Sequence, residues 1–94
     1  MANLFTRKNI LINTCYKVLC AYEKYEADEV DYANYENCLN KACIMLEGDE
    51  VKTLITDGIM LLKGLAQMGE SATHKDVKQA VFHVTNELDR SMEG

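Results

Sequence analysis

Apolar residues return every three or four positions along most of this chain, and no stretch alternates strictly between polar and apolar. That is the period of amphipathic helices rather than strands. Leu4, Leu11, Cys15, Val18, Tyr22 and Tyr25 lie on one face, widened by Phe5, Ile12 and Leu19, and predict a first helix from Asn3 or Thr6 to Ala27. A second helix is predicted from Asp31 to Glu47, its core face Tyr35, Leu39, Ala42 and Leu46, flanked by Cys38, Cys43 and Met45. Asp28 or Asp31 can cap it, and Val30 with Tyr35 has the spacing of a hydrophobic staple. Gly48 suits a left-handed stop.

A third helix reads from Asp49 to Met68, with Val51, Leu54, Ile55, Gly58, Leu61, Leu62 and Leu65 inward and Gly69 ending it. Gly58 sits mid-face, where only the close approach of another helix justifies a residue that costs ~1 kcal/mol relative to Ala. The fourth helix reads from Thr73 to Ser91, with Thr73 and Asp76 as a capping box and Val77, Ala80, Val81, Val84, Leu88 and Met92 inward. Short connections make neighbours antiparallel, so the pattern predicts an all-α, up-down-up-down four-helix bundle. A three-helix bundle with the first two helices fused is the structural alternative, and the acidic turn between them argues for the break. Ninety-four residues make a single domain, 1–94, with a small core.

Charge changes the picture in one place. Glu23–Glu36 holds six acids (Glu23, Glu26, Asp28, Glu29, Asp31, Glu36) against Lys24, a net charge of −5. The whole chain is also −5, so the rest is neutral. Tyr22, Tyr25, Tyr32 and Tyr35 stud the same region. Glu23 and Glu26 stand in a last helical turn, where the helix dipole disfavours acids. Such an end suits a basic protein surface: carboxylates steer, and tyrosines offer contact area with few rotatable bonds. The candidate partner-binding residues are Glu23, Tyr25, Glu26, Glu29, Asp31 and Tyr32. The acidic balance argues against direct nucleic-acid binding, which needs clustered Lys and Arg. Met60 and Phe82 do not fit the predicted stripes, and the third helix is apolar at every position from Ile59 to Leu62, so Ile59, Met60 and Phe82 are the candidate surface for a homodimer.

The chemistry-bearing residues point to no catalytic site. Four cysteines form two copies of one spacing, CYKVLC and CLNKAC, which an antiparallel hairpin would bring level as Cys15 with Cys43 and Cys20 with Cys38. Residues five apart on a helix diverge by about 140°, so the sulfurs do not converge for a metal. They read as reduced thiols packed like small apolar groups, with Cys20 on the polar side. His74 and His83 read as surface residues without a nucleophile partner. No cofactor and no metal is expected. The first fifteen residues lack a long apolar export segment and no run approaches a membrane span, which predicts a cytoplasmic protein, and its size and general character suggest a bacterial or phage type.

Glu23-x-x-Glu26 together with TDGIMLLKGLAQMG from Thr56 is similar to the Mg²⁺-binding stretches of the all-α nucleoside triphosphate pyrophosphatases, the MazG group. The resemblance implies Mg²⁺ held by carboxylates that include Glu23, Glu26 and Asp57. The position three before Asp57 is Leu54, where that pattern has Glu. The leading expectation is therefore a non-enzymatic module that binds and modulates another protein through its acidic end. An immunity- or chaperone-like protein using an apolar groove between helices is second, and a degenerate pyrophosphatase third.

Overall fold

The computed structural model describes residues 4–92. Residues 1–3 and 93–94 lie outside the description, as do the side chains of Leu4 and Phe5. Four helices follow in order: α1 (Leu4–Glu26), α2 (Tyr32–Glu47), α3 (Thr56–Met68) and α4 (His74–Ser91), with 3₁₀ turns at Glu50–Leu54 and Gly69–Ser71. There is no strand among the described residues. α1 packs between α2 and α4, and α3 closes the ring against α4 and, over a shorter seam, α2. This is the expected bundle of four helices, 40 Å long and 23 × 19 Å across. Its topology places the α1–α2 and α3–α4 connections at one end. No helix among the described residues is long and apolar enough to cross a membrane.

The stripes read from the sequence are the core. Leu11, Cys15, Val18 and Tyr22 of α1, Tyr35, Leu39, Ala42 and Leu46 of α2, Leu62 and Leu65 of α3, and the α4 stripe from Val77 through Leu88 to Met92 are all buried. Thr85 is buried among them and donates its hydroxyl to the Phe82 carbonyl, 3.1 Å.

The turn between α1 and α2 divides the capping work between two aspartates. Asp31 is the N-cap of α2, its carboxylate accepting from the Asn34 N–H at 3.1 Å. Asp28 instead ends α1 with φ +60°. The Asp28 N–H reaches the Tyr25 carbonyl and the Glu29 N–H reaches the Lys24 carbonyl, closing a Schellman motif with Asp where Gly is usual. Thr73 and Asp76 form the full capping box on α4, and the bonds from Thr73 hold the Asp76 carboxyl below its ordinary range.

Three expectations are corrected. Gly48 closes α2 in the right-handed region, φ −85°, and its N–H reaches the Ile44 carbonyl; the chain turns directly into a 3₁₀ segment capped by Asp49, so no left-handed residue is needed. The single helix from Asp49 to Met68 is broken at Ile55, whose φ −126° and ψ 32° are not helical. Four of the six residues from Val51 to Thr56 are β-branched, which weakens helix propagation, and the break lets Val51 and Ile55 both be buried. That break also rotates the face of α3, leaving Leu54 and Leu61 exposed where the pattern placed them inside.

Gly58 meets its expectation. A β-carbon there would lie 2.7 Å from Val84 Cβ, so α4 runs against the glycine. Ile55 offers α3 no side-chain cap. Glu87 of α4 supplies one, its Oε1 accepting from the Gly58 N–H at 2.7 Å. A carboxylate at a helix N-terminus satisfies a donor that has no intrahelical partner and is favoured by the dipole.

Candidate functional site: the acidic end and the outer face of α3

The four tyrosines of the acidic end are first a lid on the core. Tyr22 packs edge-on to Tyr25 and Tyr35 with ring centroids 5.9 and 5.1 Å apart, and Tyr32 packs edge-on to Tyr25 and Tyr35 at 5.5 and 5.6 Å. Edge-to-face pairs of this kind contribute roughly 0.5–1.5 kcal/mol each beyond their buried area. Tyr22 Oη donates to the Ala72 carbonyl at 2.9 Å, tying α1 to the neighbouring α3–α4 connection. Tyr35 is fully buried, and its hydroxyl has no partner among the described residues. Tyr25 and Tyr32 are half-buried and pack against the core.

Around this lid the acids stay in water. Glu23, Glu26, Asp28, Glu29, Asp31 and Glu36 are exposed. Glu70, from the α3–α4 connection, joins them: Tyr22, Tyr25, Glu26, Asp28 and Glu70 line one open depression. Glu23 lies 3.0 Å from His74 Nε2, so one of the two acids in the last turn of α1 has a partner. The structure thus brings the six candidate residues to one end and adds Glu70, which the sequence reading missed. Antiparallel connectivity was the signal for it, because it sets residues 69–73 beside residues 27–31. Asp31 is committed as a helix cap and Tyr32 to the ring cluster, which leaves Glu26 and Glu29 as acids with no structural task in the fold.

The candidate self-association residues do not share a surface. Ile59 is only 8% exposed and belongs to the core. Phe82 packs edge-on to Tyr16 of α1, centroids 6.3 Å apart, with Lys78 Nζ 5.8 Å from its ring, on the α1–α4 side. Met60, at 64% exposure, stands on the outer face of α3 with Leu61 (44%) and Met68 (41%). With Gly64 these residues span two turns of apolar helix surface. One flank is a groove of about 510 Å³ bordered by Glu47, Lys52, Thr56, Met60 and Lys63. The other is a smaller groove, about 180 Å³, against Asp76, Gln79 and Ala80 of α4. The face ends at Met68, beside the acidic end, where Gly69 turns the chain with φ +59° next to Tyr32.

The histidines keep substantial solvent exposure, and each has a carboxylate neighbour: His74 with Glu23, and His83 with Glu87, Nε2–Oε1 3.6 Å. The cysteines are free thiols. Cys15 and Cys43 are buried, Cys38 is half-buried and Cys20 is exposed. The carboxylates of the pyrophosphatase resemblance are not assembled. Glu23 pairs with the first residue of α4, whereas Asp57 approaches His83 and Glu87 in its second half.

Burial pushes the Cys15 thiol from 9.0 up to about 12, with Cys43 nearby adding to the shift, and raises Cys43 in the same way. Burial is also the first cause raising the Tyr22, Tyr32 and Tyr35 phenols above 10.0. The unfolded chain ionises these groups at lower pH than the folded one, so above the unfolded values it binds fewer protons and stability falls with pH. The urea midpoint is expected not to vary with pH through these groups below about pH 8 and to drop steadily from about pH 9 to about pH 12. A midpoint that holds or rises over that range would contradict the buried positions of these side chains.

Comparison with protein-family models, with curated proteins and with solved structures finds no match for this chain.

Proposed function

We propose that this chain is a non-enzymatic, cytoplasmic interaction module that binds another protein and modulates it by occlusion or scaffolding. The observation that carries the reading is the continuity of two surfaces: the apolar outer face of α3 (Met60, Leu61, Gly64, Met68) runs into the acidic end (Glu26, Glu29, Glu70). The partner that suits this strip has an apolar face and a basic end, as a basic amphipathic helix does. Apolar contact supplies affinity, and the carboxylates supply orientation and association rate. Relative to the expectation from sequence, contact area moves from the tyrosines, which are spent on closing the core, to α3. The groove beside Met60 favours a second reading in the immunity- or chaperone-like class, in which one apolar side chain of the partner seats between α3 and the Glu50–Leu54 turn.

Affinity capture from the native host tests both halves. Glu26→Lys with Glu29→Lys reverses charge at positions free of capping duty, and Leu61→Glu breaks the exposed face without touching the core. Capture of one specific partner is expected to weaken markedly when salt is raised from about 0.1 M to about 1 M, where the Debye length falls from about 10 to about 3 Å. It is expected to weaken likewise in the charge-reversed variant and to be lost in Leu61→Glu. Salt-insensitive capture removes the acidic end from the interface, and capture indifferent to Leu61→Glu removes α3. A concentration-dependent dimer in sedimentation that Leu61→Glu dissociates would make the occupant of α3 a second copy of this chain.

A further inference from the structure

The α3–α4 seam carries a second feature that the interaction reading does not use. Asp57, in the first turn of α3, and His83 and Glu87, one turn apart on α4, each offer a donor atom, and these atoms lie within 4.8 Å of one another. We propose that Asp57, His83 and Glu87 form a binding site for a divalent transition-metal ion of the Zn²⁺ type.

The donor set is one imidazole and two carboxylates. Imidazole nitrogen favours Zn²⁺ and its neighbours over Mg²⁺ and Ca²⁺, which take oxygen ligands. A tetrahedral Zn²⁺ with ligands at about 2.0–2.2 Å holds its donors about 3.4 Å apart. Closing from the observed spacing therefore asks for shifts of about 1 Å. Asp57 and His83 are exposed and can make them. Glu87 does not have to move: its carboxyl is largely buried and its Oε1 is held at 2.7 Å by the Gly58 N–H. A hydrogen bond that fixes a ligating carboxylate is the usual support for a metal site, and the remaining lone pairs stay open to the ion. Gly58 is what permits the approach, because any β-carbon there would sit 2.6 Å from that same oxygen. Three protein ligands leave a position for water or for a group from a bound partner. The ion would pin the start of α3, just after the break at Ile55, to the second half of α4. Asp89 and Arg90 border the depression beside His83 with opposite charges, so they add no net repulsion.

The test uses untagged full chain, stripped with chelator and titrated with Zn²⁺ in competition with a chromophoric chelator, then with Co²⁺ as a spectroscopic probe. The expected result is one Zn²⁺ per chain and little response to Mg²⁺. His83→Ala and Asp57→Asn, both at exposed positions, are each expected to weaken binding by about tenfold to 100-fold. Co²⁺ should show visible ligand-field bands with no thiolate charge-transfer band, and Cys20→Ser should change nothing. Equal affinity in wild type, His83→Ala and Asp57→Asn would overturn the site. A thiolate charge-transfer band removed by substituting cysteines would overturn it as well, by assigning the metal to sulfur. Glu87→Gln keeps an acceptor for the Gly58 N–H, so a loss of Zn²⁺ affinity at unchanged melting temperature separates ligation from capping.

Discussion

Replacing Gly58 with alanine is expected to destabilise the bundle, although the same change in an open helix stabilises it. The new β-carbon would fall 2.7 Å from both Cβ and Cγ2 of Val84 and 2.6 Å from Glu87 Oε1. Val84 is buried and its Cβ is fixed to the α4 backbone, so relief requires the helices to separate. Overpacking of this kind costs about 1–3 kcal/mol. The gain in helix propensity is at most about 1 kcal/mol, and less this close to a helix N-terminus. The net loss is about 1–2 kcal/mol, or a melting-temperature drop of roughly 5–15 °C for a chain of this size. Gly64→Ala is the control, because nothing lies within 4 Å of a β-carbon at that position. It should raise stability by up to about 1 kcal/mol. If both substitutions stabilise, α3 and α4 do not meet at Gly58, and the metal-site geometry fails with them.

Gly58 also shows what the sequence could and could not disclose. Its place in the apolar stripe was enough to expect a helix crossing there, because a glycine on a buried helical face has few other uses. The neighbour that makes the site chemical, Glu87, is 29 residues away. No periodicity links the two, and His83 reads from sequence only as a surface residue of the fourth helix. The α4 stripe was legible throughout because apolar residues and a capping box agreed on one phase. The region from Val51 to Ile55 was not, since its apolar spacing continues the stripe of α3 while its β-branched residues oppose a helix. Packing decided between them, and the cost is an exposed Leu54 and a rotated α3. That rotation is why the apolar surface now proposed to contact a partner includes Leu61 and excludes Ile59.

At the acidic end the composition was legible and the division of labour was not. Six acids and four tyrosines in and beside one turn suggest a surface built for contact. In the fold, Asp28 and Asp31 are consumed by the two helix ends, and three of the ring contacts involve the buried Tyr35. The acids are concentrated where a rigid aromatic lid holds the two connections together, so a partner would meet charges on a preorganised platform. Preorganisation lowers the ordering cost of binding. It also makes the platform depend on one residue.

That residue is Tyr35. Its ring is fully buried against Tyr22, Tyr25 and Tyr32, with Tyr25 stacked at 6.4 Å and the other two edge-on. Truncation to alanine removes the centre of the cluster, and its neighbours are held by the α1 and α2 backbones and by the Tyr22–Ala72 bond, so they can collapse only in part. Aromatic-to-alanine changes in a core cost about 3–5 kcal/mol. A domain of this kind has only about 5–15 kcal/mol in total, so Tyr35→Ala is expected to leave a weakly folded or unfolded chain by circular dichroism. Tyr35→Phe separates ring from hydroxyl. Since the Tyr35 hydroxyl makes no bond to the described residues, its removal should be neutral or stabilising by up to about 1 kcal/mol. Tyr22→Phe should cost about 1–2 kcal/mol, because it strands the Ala72 carbonyl that the Tyr22 hydroxyl now satisfies. Urea denaturation of the three variants measures the order. If Tyr35→Phe proves more damaging than Tyr22→Phe, the lid is held by a hydrogen bond at Tyr35 rather than by ring packing. Reversal of charge at Glu26 and Glu29 should leave the same denaturation curves nearly unmoved. That contrast places the lid's stability in its rings and leaves its exposed acids free for a partner.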